Sequence, residues 1–224
     1  MPRYRCLVLD HDDTAVTSTA TVHYPSFVEV LRALRPGKTM SLREFYLLQN
    51  DPGFLPMCTR LLGFTDAEME IQLDMWRRYT QLHIPSFYPG VPHLIRRQKE
   101  TGGLLCVVSH SYAQNVLRDY AAAGLPAPDR VLGWELGPDR QKPHPEPLRM
   151  LMAEFSLSPA DILVVDDLKP GFDMARAAGC AYAAALWAYA DVPEMRTFAL
   201  SDAGALPMES PAALERYLFE PVGE

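Results

Sequence analysis

Hydrophobic residues fall into two patterns along this chain. Short, continuous apolar runs stand at Cys6 to Leu9, Leu104 to Val108, around Val131 and Leu132, Ile162 to Val165 and Cys180 to Trp187. Each has strand length and turn residues nearby. Between them the spacing is helical: Ala113, Val116, Leu117 and Tyr120, then Leu148, Leu151, Met152 and Phe155, all recur at i, i+3, i+4, i+7. Apolar strands alternating with amphipathic helices predict an α/β fold, a parallel sheet with right-handed crossovers and helices on both faces.

The interval between the first two strands is too long for one crossover helix, and its content is helical. Phe27, Val30, Leu31 and Leu34 form one apolar stripe. Ser41 with Glu44, and Thr65 with Glu68 ahead of Met69, Leu73 and Trp76, have the spacing of capping boxes that open two further helices. Residues 17–86 therefore read as an inserted helical module, with 1–16 and 87–224 forming the α/β core. FYPGVPHLIRRQKETGG returns the chain to the sheet through a turn, a helix carrying Val91, Leu94 and Ile95, and a Gly102-Gly103 stop. The Met and aromatic residues of the insert, Met69 and Trp76 among them, are expected to form its own small core.

Composition narrows the partners. A formal net charge of -7 leaves no basic footprint for nucleic acid or a membrane surface, so an anionic ligand must be captured locally. The four cysteines show no CxxC spacing and read as free thiols. MPRYRC leads straight into the first apolar run without a signal-peptide core, and a cytoplasmic location is expected.

In an open parallel sheet, ligands sit beyond the carboxyl ends of the strands, so the first polar residue after each run carries the most information. Those residues are Asp10, Ser109, and Asp166 with Asp167; Lys142 stands just before the Pro-rich helix start KPHPEPL. An Asp-rich strand end alone is often only a turn, but Asp, Ser, Lys and Asp converging on one crevice suit phosphoryl transfer. A phosphate dianion approaches several carboxylates only with a hard cation present, and Asp10 and Asp167 suit Mg²⁺. Ser109 can donate to a phosphate oxygen, and Lys142 can offset its charge.

DHDDT, VVSHS, KPHPEPL and VVDDLKPGFDMARAAG resemble, in order and spacing, the four motifs of the haloacid dehalogenase superfamily of phosphohydrolases. The connecting segments FYPGVPHLIRRQKETGG and LSPADILVVDD resemble the phosphoglycolate phosphatase-like and β-phosphoglucomutase-like branch. The resemblance implies a Rossmann-like core with a helical cap inserted after the first motif. It implies that Asp10 attacks phosphorus to form an aspartyl-phosphate, and that Asp12 protonates the leaving oxygen and then activates water. Mg²⁺ is implied on Asp10, the Asp12 carbonyl and Asp167, with Asp166 supporting from the adjacent position.

Three positions depart from the family pattern: Asp13 stands where Gly is common, Ala15 where Leu is common, and Gly171 where many members carry a further Asp or Asn. The last removes a side chain that would orient the waters of the metal. His110, beside Ser109, is a candidate phosphate contact; for it and for His11 a structural role is equally open, and for His23 packing or capping is favoured over a substrate contact. The expected function is Mg²⁺-dependent hydrolysis of a small phosphorylated metabolite. A phosphomutase shares the four motifs and is not separated from it, and a non-catalytic binding relative would have lost a motif residue, whereas none is missing. Neither the substrate nor the oligomeric state is written in the sequence.

Overall fold

The computed structural model describes residues 2–197 and 204–220. A six-stranded parallel sheet, β1 (Cys6–Leu9), β2 (Leu104–Val108), β3 (Arg130–Leu132), β4 (Ile162–Asp166), β5 (Ala181–Ala185) and β6 (Ala205–Met208), runs in the order β3-β2-β1-β4-β5-β6. The chain winds outward from β1 in both directions, so the crevice between β1 and its neighbours β2 and β4 is the topological switch point.

Strand residues alternate between two cores because successive side chains point to opposite faces. Leu7, Leu9, Leu105, Val107, Leu163 and Val165 pack on one face. They meet α5 (Val91–Glu100), α6 (Ala113–Ala122) and α9 (Pro211–Phe219) through residues such as Ile95, Tyr120 and Leu214. Cys6, Val8, Cys106, Ile162 and Val164 pack on the other, against α7 (Glu146–Phe155) and α8 (Lys169–Ala178). Burial on both faces is why these strands read as unbroken apolar runs. Two expectations need correcting: Leu117 on α6 is 43% exposed rather than part of the stripe, and the last strand ends at Ala185 because a 3-10 turn begins at Leu186. β6 and α9 were not expected from the sequence. β6 is four residues long and contains Pro207, which only an edge strand or a strand end tolerates.

Between β1 and β2 lie α1 (Tyr24–Leu34), α2 (Leu42–Leu48), the single turn α3 (Phe54–Pro56) and α4 (Asp66–Leu82). Both capping boxes form, on Ser41–Glu44 and Thr65–Glu68. Phe27, Val30, Leu31, Phe45, Met57, Cys58 and Phe64 make a separate buried cluster. Met69 packs against it, whereas Trp76 does not and faces the crevice instead. The chain leaves and re-enters the sheet region at adjacent points: Thr17 N donates to Ser86 O at 2.9 Å and Tyr88 N to Ala15 O at 3.0 Å. Among the described residues no helix is long and apolar enough to cross a membrane.

Candidate active site

β1 ends where its register meets the crevice. Asp10 N still donates to Val165 O at 2.8 Å, extending the ladder to β4 by one residue, but the side chain that follows is a carboxylate. The chain then turns sharply, with Ala15 N and Val16 N both donating to His11 O. Asp13 sits at φ 58, in the left-handed region that Gly adopts freely and Asp tolerates better than most residues. That geometry accounts for Asp where Gly is common. The Asp13 carboxylate also accepts from Thr19 N at 3.1 Å and so secures the first turn leading to α1.

Lys142 Nζ lies 2.7 Å from Asp10 Oδ1 and 2.6 Å from Asp166 Oδ2, with all three side chains buried. Burial disfavours its ammonium, but the two carboxylates outweigh that cost and hold its pKa above the usual lysine value. Asp166 Oδ1 accepts from Leu168 N at 2.9 Å, so both of its oxygens are engaged. Asp167 accepts from Thr14 Oγ1 at 2.8 Å and from the Tyr189 hydroxyl at 2.5 Å.

Asp10, Asp166 and Asp167 each place a carboxylate oxygen within 4.8 Å of the others. Among the described residues one ammonium serves this cluster, and the repulsion shows: burial pushes Asp166 up to about 6, and burial with the charges of Asp10 and Asp166 drives Asp167 well above the carboxylate range. A buried all-oxygen donor set short of positive charge is what a hard divalent cation fits. The Asp12 carboxylate takes no part in that cluster.

Asp12 turns to the other side of the crevice. Its Oδ2 accepts from Ser111 Oγ at 2.6 Å and Ser109 Oγ at 3.3 Å, and its Oδ1 lies 3.0 Å from His23 Nε2. Burial works against its charge, but the hydrogen bonds from His23 and Ser111 overcome that and hold its carboxyl well below the usual range. His23 is fixed in turn by Trp76, whose Nε1 donates to His23 Nδ1 at 3.0 Å. Burial disfavours the imidazolium and Asp12 favours it, raising the pKa on balance. An indole N–H nevertheless needs a lone pair on Nδ1, which only the neutral, Nε2-protonated ring supplies. Geometry therefore assigns the neutral tautomer while Trp76 is in place.

The structure thus brings Asp10, Asp12, Ser109, Lys142, Asp166 and Asp167 to one crevice, with His110 on its wall, Nε2 3.2 Å from Lys142 O. Ser109 does not cap α6, whose N-cap is Tyr112; it accepts from Ser111 N instead. His23 stands at the N-cap position of α1 without a side-chain capping bond, and its ring lies beside Trp76 and reaches Asp12; His11 is structural, buried with Nε2 3.0 Å from Asp119 Oδ2. Sequence reasoning missed Ser111, Trp76 and Tyr189. Only Ser111 carried a signal, as the second serine of VVSHS; Tyr189 lies beyond β5, outside every motif.

The model of the family described as Haloacid dehalogenase-like hydrolase matches residues 8–185. Phosphoglycolate phosphatase from Haemophilus influenzae is 33% identical over 110 residues, 48% of this chain and 48% of that protein. The chain therefore aligns with about half the length of such relatives. Among solved structures, CbbY from Rhodobacter sphaeroides in complex with phosphate superposes with a TM-score of 0.70 at 19% identity, covering 94% of this chain and 96% of that one. A haloacid dehalogenase-like family protein from Streptococcus pneumoniae gives 0.73 at 14% identity, covering 96% and 98%. At these identities the two structures establish the shared fold.

Proposed function

This chain belongs to the haloacid dehalogenase-like hydrolase family, and from that premise we propose that it is a phosphatase that hydrolyses a small phosphate monoester through an aspartyl-phosphate on Asp10. The supporting observation is the buried bridge from Lys142 to Asp10 and Asp166 beside Asp167. It holds one carboxylate at the switch point, with the Ser109 hydroxyl across the crevice.

A carboxylate oxygen of Asp10 attacks phosphorus as the bond to the ester oxygen breaks, and Asp12, protonated for this step, gives its proton to the departing oxygen. Asp12, now a carboxylate, takes a proton from water. That water attacks the same phosphorus, and Asp10 leaves as inorganic phosphate forms. The hydrogen bonds from His23 and Ser111 keep Asp12 as the carboxylate that the second half-reaction starts from, at the cost of a lower basicity. Substrate must disturb them to give the acid form. Ser109 and Lys142 orient the phosphate and offset its charge, with His110 on the same wall. Mg²⁺, held by Asp10, Asp167 and the Asp12 carbonyl with Asp166 in support, supplies electrostatic stabilisation of the phosphate oxygens when bound.

Residues 17–86 are the cap in this reading, and 1–16 with 87–224 the catalytic core. The cap covers the nucleophile, limits water and selects the leaving group. Crystals grown with Mg²⁺ and beryllium fluoride test the central assignment, because trifluoroberyllate on a carboxylate mimics an aspartyl-phosphate. The adduct is expected on Asp10, with Asp10→Asn inactive and the wild-type enzyme silenced by EDTA. An adduct on Asp12 or Asp167, or sustained turnover by Asp10→Asn, overturns it.

A further inference from the structure

The crevice opens into a cavity of about 470 Å³, within the roughly 300–1,000 Å³ of small-molecule sites. Its two ends differ in chemistry. The floor holds the carboxylates of Asp10, Asp12, Asp13, Asp166 and Asp167, and Lys142 is the one Lys or Arg among the described lining residues. Its ammonium is already shared by Asp10 and Asp166. The walls are largely hydrocarbon: Phe27, Phe45, Phe54, Leu73, Trp76 and Tyr112 face the space above the floor.

Nothing in those walls is built to receive a second anion. Of the polar wall residues, Gln49, Asn50 and Gln72 are neutral amides and Thr19 and Ser26 are hydroxyls. His110 has Nε2 3.2 Å from Lys142 O, and burial together with the Lys142 charge holds its pKa below the usual imidazole value. His23 has both ring nitrogens engaged, by Asp12 and by Trp76. Arg77, the nearest candidate on α4, donates to the Tyr112 hydroxyl at 3.1 Å and does not line the cavity. A carboxylate or second phosphate on the leaving group would lose its hydration against hydrocarbon walls and gain no ion pair there in return. An uncharged hydrocarbon group, by contrast, gains from every apolar atom it removes from water, and a ring gains further by packing on Phe54 or Trp76.

We propose that the substrate is a monophosphate ester whose leaving group is uncharged and apolar, an aromatic ring or branched hydrocarbon, rather than a phosphorylated carboxylic acid or a sugar bisphosphate. This rests on the phosphatase reading above. It also separates that reading from a phosphomutase, which must hold a bisphosphate intermediate with one phosphate at the far end of the cavity.

The test is a pair of esters of equal shape, 4-methylphenyl phosphate and 4-carboxyphenyl phosphate, assayed with Mg²⁺ beside 2-phosphoglycolate. The carboxylated phenol is the better leaving group, so chemistry alone favours its ester. The expected result is a kcat/KM higher by about tenfold or more for the methyl ester, the scale of discrimination that one pocket contact can supply. Leu73→Lys, which adds an ammonium to the half-buried wall, should shift the ratio toward the carboxylate. A preference for 4-carboxyphenyl phosphate or 2-phosphoglycolate with hydrolysis intact overturns the inference and leaves the phosphatase reading standing; loss of that preference in Arg77→Ala would then identify the cation that was misplaced. Calorimetric binding of both aryl esters to Asp10→Asn measures the cavity without turnover. A methyl preference there, with no hydrolysis of any ester by the wild-type enzyme, sinks the phosphatase reading and keeps the charge selectivity of the cavity, whereas equal binding sinks the inference itself.

Discussion

A β-carbon on Gly171 would come within 2.2 Å of the Asp166 carboxyl carbon, so the position is filled by its neighbour's side chain. The missing Asp or Asn of the family pattern is thus a packing requirement: Asp166 occupies that space while it meets Lys142 and Leu168 N. Gly171→Ala should move Asp166 off Lys142 and lower kcat by about 10²-fold, the usual cost of a displacement near 1 Å. Steady-state kinetics on a variant with an unchanged far-ultraviolet spectrum checks this, and wild-type kcat would show that Asp166 can stand elsewhere. Thr14 and Tyr189 donate to the two oxygens of Asp167 and fix that carboxylate directly. Tyr189→Phe keeps the ring and removes the hydroxyl, so apparent Mg²⁺ affinity should fall about 10- to 100-fold. Titrating activity with Mg²⁺ measures the shift, while kcat at saturating metal should change little. These residues were legible to different degrees. Asp10, Ser109, Lys142 and Asp167 could be read because each follows an apolar run or precedes a helix start; Tyr189 could not, because it reaches Asp167 from a turn beyond β5 that has no motif.

At the scale of elements, the helices of the insert were readable from their ends as well as their stripes. Thr65 accepts from Glu68 N while Glu68 accepts from Thr65 N, and Arg35 ties the same glutamate to the end of α1. Thr65→Ala should cost about 1 kcal/mol, the usual loss for an N-cap. Thermal unfolding should show a lower Tm, and no change would mean that tertiary contacts alone hold the start of α4. What the ends could not show is where each face points. Met69 and Trp76 lie seven residues apart on α4 and fit one stripe, yet one packs against the apolar cluster of the insert and the other donates to His23. Helical spacing puts residues on a common face; it does not say whether that face meets protein or ligand.

For the molecule as a whole, the helical insert and the sheet have separate apolar clusters, joined where Tyr46 of α2 packs edge-on against Tyr189 at 5.3 Å between ring centres. The segments at Thr17 and Ser86 are close enough for a short linker to replace the residues between them. Such a deletion variant should still hydrolyse p-nitrophenyl phosphate but should lose the contrast between 4-methylphenyl and 4-carboxyphenyl esters, because the apolar walls come mainly from the insert. A folded variant that keeps the contrast would place selectivity in the sheet domain. The sequence by itself determined the parallel sheet, the presence of a helical insert and the strand-end residues Asp10, Ser109, Asp166 and Asp167, with Lys142, that converge at the switch point. Parallel strands buried on both faces must be continuously apolar, and the ligand crevice lies where that continuity ends. Only the tertiary structure decided the tautomer of His23, the partners of Asp12 and Asp167, and the balance of charge around the cavity. Those depend on side chains that approach from helices and turns far apart in the chain, and no local pattern records which of them will meet.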